Sequence, residues 1–408
     1  MSPGALHGLR VLDLSGPPGN YCGKLLADLG ADVILVEPPS GTRARTEPPF
    51  IHDQPGPDNS LCHAYYNANK RGITADLDSE DGRALLRRLA RHADILLETE
   101  PPGTMARRGL DHAALHELRP SLVYTSITPF GQDGPYATHA AEDITALAMG
   151  GLLYLAGYAD APPVRMHGNQ GILCANMYAA VGTMLATLHA EQSGRGQHVD
   201  VSMQECIVMA LETSVQFFDL EGTIRKRHAG EQRFAGTGVF QCADGQIYLM
   251  AGGIGANKFW GRTVDWFLEE GIPGAQAFRE ARWSSIDFLR SEPAKQIFFE
   301  IFAPWALTKA KDDLFREGQR RRIPIATISE PSDLLSSAQL AHRHHFVDLP
   351  GFQGDGDHRM PGAPYRLSAT PWRVERAAPR LGQHNVEIYG ELGIDAGELT
   401  RLHARKAI

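Results

Sequence analysis

Short apolar runs alternate with amphipathic stretches along the first half of the chain. Leu9–Leu14 is an apolar run closed by Ser15-Gly16-Pro17-Pro18-Gly19, the pattern of a strand and a turn. Tyr21–Leu29 then sets Leu25, Leu26 and Leu29 at helical spacing, and Ala31–Glu37 (ADVILVE) is a second apolar run stopped by Pro38-Pro39. Strand, helix and strand within about 30 residues predict a βαβ unit and hence a parallel sheet. The alternation continues through strands in Asn67–Leu77, Ala93–Glu98 and Leu122–Phe130, with helices at Gly82–Ala90 and Asp111–Leu118. Ser79 is placed to cap the first of these helices, with Glu80 and Asp81 at its positive end. The polar, Pro-rich stretch Gly41–Ser60 reads as a long surface loop.

Glu142–Gly151 predicts a further helix. Ile172–Ala190 predicts a long apolar helix of small residues, read as a buried core segment and not a membrane span. It leaves through Ser193-Gly194-Arg195-Gly196 into a strand, Gln197–Met203. One helix is expected over Glu205–Glu221, stopped by Gly222. Charge density rises over Arg225–Gln232, as suits a linker. Gly238–Gly252 carries a hairpin pattern about Ala243-Asp244-Gly245. From there to Phe315 the chain reads as mostly helical and as a smaller second domain. Beyond Pro324 come a short strand, a helix and hairpin-like segments. Asn385–Gly393 and Ala396–His403 close the chain as helices.

A length of 408 residues suits two domains, and 43% hydrophobic with 22% charged residues is ordinary for a globular chain. A net charge of −8 and the lack of Lys/Arg runs argue against a general nucleic-acid binder and leave room for a local basic pocket. Five cysteines at wide spacing, without CxxC, favour reduced thiols and a cytoplasmic setting. The start, MSPGALHGLR, has no signal-peptide pattern. No HExxH occurs, and His112 and His116 share a helix face without a third ligand, so no metal is expected. The first strand–helix turn is not GxGxxG, so the dinucleotide fingerprint is lacking.

Several stretches resemble the class III CoA-transferases, the group of formyl-CoA transferase, carnitine CoA-transferase and α-methylacyl-CoA racemase. They are LLADLGADVILVEPP, NKRGITADL, ADILLE, GPY, SGRGQHVDVSM, RIPIATI, PGAPYRLS and LGQHNVEIYGELGI. The resemblance implies an α/β fold. It has a large Rossmann-like domain built from both chain ends (1–205 and 326–408), a linker at 206–235 and a smaller α+β domain at 236–325. It also implies an intertwined, ring-like homodimer whose active sites lie between the large domain of one subunit and the small domain of the other. The substrates implied are acyl-CoA thioesters, with coenzyme A as the group exchanged. In the transferases an aspartate attacks the thioester carbonyl and carries the acyl group. In the racemase the same aspartate pairs with a histidine to move an α-proton.

The frame that the resemblance implies for that aspartate lies nine positions after Pro163 and ten before Gly182, and both counts arrive at Ile172. No Asp or Glu stands between Ala161 and Ala190. The histidine position of the racemase aligns with Glu142, followed by Asp143. His167, Asn169 and Gln170 stand in the approaching loop, where each carries a hydrogen-bonding group for a thioester oxygen. Cys174, two positions past Ile172, is a further nucleophile candidate beside a packing role. For CoA itself the resemblance points to Lys70, Arg71, Thr99 and Arg107, with Glu98-Thr99-Glu100 in place of a Glu-Asn-Phe run. Gly252–Gly255 matches a glycine loop over the site. Three functions follow as expectations: an acyl-CoA enzyme working without the usual aspartate, a non-catalytic subunit of a heteromeric CoA-transferase, or an acyl-CoA racemase.

Overall fold

The computed structural model describes residues 3–252, 257–349 and 359–408. The expected βαβ alternation produces a six-stranded sheet. Its strands are β1 (Arg10–Asp13), β2 (Asp32–Glu37), β3 (Arg71–Thr74), β4 (Ile95–Glu98), β5 (Val123–Thr128) and β6 (His198–Ser202). They lie in the order β3-β2-β1-β4-β5-β6, and each neighbouring pair is parallel. This is the doubly wound order, whose ligand crevice lies outside the carboxyl ends of the strands where the order reverses, between β1 and β4. Both faces are covered, as a parallel sheet requires. One core joins Leu12, Ile34, Leu96 and Tyr124 to Ile388 and Tyr389 from the chain's far end. The other joins Val11, Leu97, Val123 and Ile127 to Ala175, Ala179 and Ala186.

The long apolar segment forms the helix Gln170–Ser193, two residues earlier than its pattern suggests. Ala175, Ala179, Ala186 and Ala190 let it lie close on the sheet. Its buried polar groups are all used. Asn176 Oδ1 accepts from Cys22 N at 2.8 Å, its Nδ2 donates to Pro18 O at 2.6 Å, and Thr183 Oγ1 lies 2.7 Å from Thr125 Oγ1. Gly194 ends the helix at φ +74°, the left-handed cap that glycine adopts without a Cβ penalty. The expected burial holds on one side only, since Met177, Val181, Leu185 and Leu188 are more than half exposed. This helix meets the length and composition of a membrane span, but its inner face carries a satisfied polar register to the sheet.

Two other expectations change. The single helix over Glu205–Glu221 is two, Met203–Met209 and Ser214–Glu221, separated where Glu212 adopts φ 52°. The loop before β3 is followed by an unforeseen helix, Leu61–Asn67, whose Ser60 hydroxyl accepts from His63 N at 3.2 Å. Its pattern (LCHAYYN) is too short to show a helical period.

By contacts the chain forms two units. The first comprises Met1–Leu153, Arg165–Asp219 and Gln339–Ile408; the second comprises Tyr154–Val164 and Leu220–Ala338. The second unit holds the antiparallel sheet β7 (Thr237–Cys242), β8 (Gly245–Met250) and β9 (Ile325–Ile328). The first two of these are the expected hairpin. An aromatic core of Trp266, Phe267, Phe278, Trp283, Phe298 and Phe302 backs it. The expected glycine loop 252–255 lies, apart from Gly252, outside the described residues.

Candidate active site

The crevice at the carboxyl ends of β1 and β4 is closed by one cross-loop bond. Gly16 N donates to Thr99 Oγ1 at 2.9 Å, tying the turn after β1 to the turn after β4. Beside it lies a cavity of about 280 Å³ bounded by Pro18, Thr99, Glu100, Thr128, Asp143 and Ile172 among others. The structure therefore brings four of the singled-out positions to one wall: Thr99, Glu142, Asp143 and Ile172.

Asp143 is 4% exposed and lies at the start of the helix Asp143–Met149. Its Oδ1 accepts the backbone N–H of Ile172 at 3.0 Å. The helix Gln170–Ser193 has no side-chain bond from its own N-cap, Asn169, so Asp143 performs that function from another element. Gly171 makes the approach possible. A Cβ there would stand 3.2 Å from Asp143 Oδ1 and 3.0 Å from Ile207. The second oxygen, Oδ2, is buried with no hydrogen-bond partner among the described residues, and so is Thr128 Oγ1. Thr128 was not foreseen. The only signal is a threonine at the crevice end of the strand Val123–Thr128.

On the same wall the Glu142 side chain is exposed and pairs with Arg43 at 3.4 Å. The other candidates stand apart. His167, Asn169 and Gln170 are exposed. Gln170 Nε2 donates to His167 O at 2.8 Å, and Asn169 Oδ1 accepts from Arg165 at 3.1 Å, so the loop is bonded within itself. Burial raises the pKa of the Cys174 thiol, the opposite of activation.

The four positions expected to meet CoA divide. Arg107 is exposed and bonds only Thr104 Oγ1, at 2.9 Å, among the bonds found for its side chain. Thr99 is half-buried and bonded to Gly16. Lys70 is 0% exposed, and its ammonium donates to Asp13 at 2.6 Å, Asn67 at 2.8 Å and Asn20 O at 3.0 Å. Three donors meet three acceptors, which leaves none for a phosphate. Arg71 is held by Asp32 at 2.6 Å, Glu387 at 2.7 Å and Glu391 at 2.8 Å, and stitches β3 to the helix Asn385–Glu391 near the chain's far end. The expectation that Lys70 and Arg71 contact the ligand gives way to a structural role for both.

On the opposite face of the sheet, Glu98 is 2% exposed, and its Oε2 accepts Glu100 N at 2.6 Å. Burial pushes its carboxyl up to about 7, with Glu100 and Asp200 adding to the rise and the Ser126 hydroxyl opposing it. Ser126 Oγ lies 2.9 Å from His198 Nε2.

The family model of CoA-transferase family III matches residues 6–385. The chain belongs to CoA-transferase family III. It is 40% identical to the succinyl-CoA:(R)-benzylsuccinate CoA-transferase subunit BbsE of Thauera aromatica, over 96% of this chain and 95% of that protein. It is 32% identical to succinyl-CoA–D-citramalate CoA-transferase of Chloroflexus aurantiacus, over 100% of this chain and 98% of that protein. A CAIB/BAIF family protein from Brucella suis has a crystal structure that superposes with a TM-score of 0.84 at 28% identity, covering 96% of this chain and 100% of that one.

Proposed function

We propose that this chain is the nucleophile-free subunit of a heteromeric CoA-transferase that draws CoA from a succinyl-CoA thioester and passes it to a dicarboxylic acid. The observation that carries the reading is Ile172. A hydrocarbon side chain at the frame position of the family aspartate has no lone pair to attack a thioester and no oxygen to carry an acyl group. Asp143, the one carboxylate bonded beside it, is committed through Oδ1 to the helix backbone. The 40% identity to a protein named as a transferase subunit supports the same reading, and both named relatives use succinyl-CoA with a diacid.

In this reading a homologous partner supplies the carboxylate. That carboxylate attacks the thioester carbonyl, an acyl–oxygen bond forms, the carbon–sulfur bond breaks and CoA leaves as thiolate. The thiolate then attacks the anhydride at the partner's own carbonyl, and the freed carboxylate departs. A carboxylate of the incoming diacid attacks that enzyme thioester and releases CoA thiolate, which then attacks the diacid's carbonyl in the new anhydride, forms the product thioester and frees the partner's carboxylate. This chain contributes the second half of an intertwined assembly. The exposed apolar side of the helix Gln170–Ser193, with Val181 at 59% and Leu185 at 64% exposure, suits coverage by that partner. Cytoplasmic work accords with five free thiols.

The test is to assay CoA transfer from succinyl-CoA to a diacid panel with the chain alone, with a family III homologue that carries the aspartate alone, and with both. Turnover only with both is expected. A hydroxylamine-sensitive adduct on this chain, or full turnover by it alone, would sink the reading.

A further inference from the structure

Glu98, Ser126 and His198 stand in one hydrogen-bonded row that runs from the interior to the surface. The row crosses three neighbouring strands, with Glu98 of β4 opposite Ser126 of β5, and Tyr124 of β5 opposite His198 of β6. Glu98 is 2% exposed and Ser126 is 1% exposed, whereas His198 is exposed. The Ser126 hydroxyl bonds the Glu98 carboxyl on one side and lies 2.9 Å from His198 Nε2 on the other.

The surroundings keep charge off the imidazoles. The His112 ring stacks on His198 with centroids 5.5 Å apart and planes at 16°, and His116 lies 5.1 Å from His112. His112 Nε2 and His116 Nδ1 are buried without a hydrogen-bond partner among the described residues, so a second proton on either ring would leave a cationic N–H unmet. Partial burial lowers the pKa of His112 and His198, against an opposing pull from Asp111 on both and from Asp200 on His198. The acids that face the row are engaged elsewhere. Asp111 caps the helix His112–Leu118 through Ala114 N at 3.3 Å, Asp200 accepts Gln132 N at 3.0 Å, and Glu100 pairs with Arg108 at 3.1 Å. A neutral imidazole thus ends the row at the surface, and an acid that burial keeps protonated up to about 7 ends it inside.

A hydroxyl has one hydrogen and donates in one direction at a time. With a proton on Glu98, the acid donates to Ser126 Oγ and the hydroxyl donates to His198 Nε2. The imidazole then keeps its own N–H on Nδ1, because the partner of one ring nitrogen sets the state of the other. With Glu98 ionised, the hydroxyl turns to the carboxylate, and Ser126 Oγ accepts an N–H from Nε2.

We propose that Glu98, Ser126 and His198 form a one-proton switch, in which ionisation of the buried acid reverses both hydrogen bonds and exchanges the His198 tautomer. The proton count closes. The Glu98 O–H breaks as a new Ser126 O–H forms, the old hydroxyl hydrogen passes to His198 Nε2, and the Nδ1 proton leaves to water. The switch reaches the crevice through the next two residues. Ionised Glu98 holds Glu100 N by a charge-assisted bond, and Thr99 between them holds Gly16 N. Rising pH therefore tightens the turn that closes the crevice. The switch lies beyond the subunit reading and does not depend on it.

The experiment is NMR of the full chain labelled with ¹⁵N-histidine, followed from about pH 5.5 to 8.5 so as to span the Glu98 and imidazole titrations. H198Q, which lacks the resonance, assigns it. His198 Nε2 is expected to be unprotonated at the acid end and protonated at the alkaline end, with a midpoint near 7. E98Q keeps an oxygen for Glu100 N and a permanent donor for Ser126, and is expected to hold the Nδ1–H tautomer throughout. S126A cuts the row, is expected to lose the step near 7, and serves if E98Q does not fold. One His198 tautomer across the whole range in the native chain would overturn the proposal. So would a step of unchanged midpoint in folded E98Q or S126A, or a plain imidazolium titration near the ordinary value of about 6.5 in place of the exchange.

Discussion

The carboxylate of Asp143 accepts the backbone N–H of Ile172 at 3.0 Å, so the entry of the longest helix is capped by a residue 29 positions earlier in the chain. Removing that acceptor leaves a part-buried N–H unmet and opens space at the cavity wall. D143A is therefore expected to lose about 1–2 kcal/mol of stability, and D143N less than half as much because an amide oxygen can replace Oδ1. Urea unfolding checks this: the midpoint should fall in the order native, D143N, D143A with an unchanged slope.

Much of the first unit is legible in sequence because a parallel sheet covered on both faces needs unbroken apolar strands, and RVLD, DVILVE and ILLE supply them. The site is only partly legible. Lys70 and Arg71 carry the charge that a phosphate needs, but charge alone does not reveal that Asp13 lies under Lys70 or that Glu387 and Glu391 return to Arg71 from more than 300 residues away. Asp143 stands out by alignment, and its cap on Ile172 has no local signature. The mid-helix break after Met209 is hidden because both halves share apolar character, and the short helix at Leu61 because seven residues carry too little period.

Burial separates two of the basic residues expected to meet CoA, Lys70 and Arg107. K70A strands the buried Asp13 carboxylate and should cost about 3–5 kcal/mol or prevent folding. R107A touches only a bond to Thr104 and should leave the melting temperature within a degree or so, while weakening CoA roughly three- to tenfold. Thermal melts and CoA titration on both variants give the contrast; CoA affinity unchanged in R107A would remove Arg107 from the ligand's path.

Glu98 sets a pH slope. Its carboxyl titrates near 7 in the fold against an ordinary value of about 4.3 in an unfolded chain. The native state holds the proton more tightly across that window, so this group's contribution weakens the fold as pH rises from about 4.3 to 7 and is constant above it. E98Q removes the titration. The stability of E98Q relative to native should rise by roughly 2–3 kcal/mol between pH 4.5 and 8, read from urea midpoints at several pH values. A flat difference would place the Glu98 titration elsewhere.

Restoring a carboxylate at the helix entry tests the vacancy from the other side. I172D sets a second acid beside buried Asp143, and two adjacent carboxylates in a cavity cannot both ionise cheaply. I172D should thus be less stable than I172N by about 1–2 kcal/mol at pH 8, and the gap should close toward pH 5 as one of the pair takes a proton. The double variant I172D/D143N relieves the repulsion and leaves one nucleophile in the family frame. Incubated with succinyl-CoA, it should gain a hydroxylamine-sensitive mass that the native chain lacks. A folded double variant that stays free of any adduct would mean that position 172 does not face the thioester.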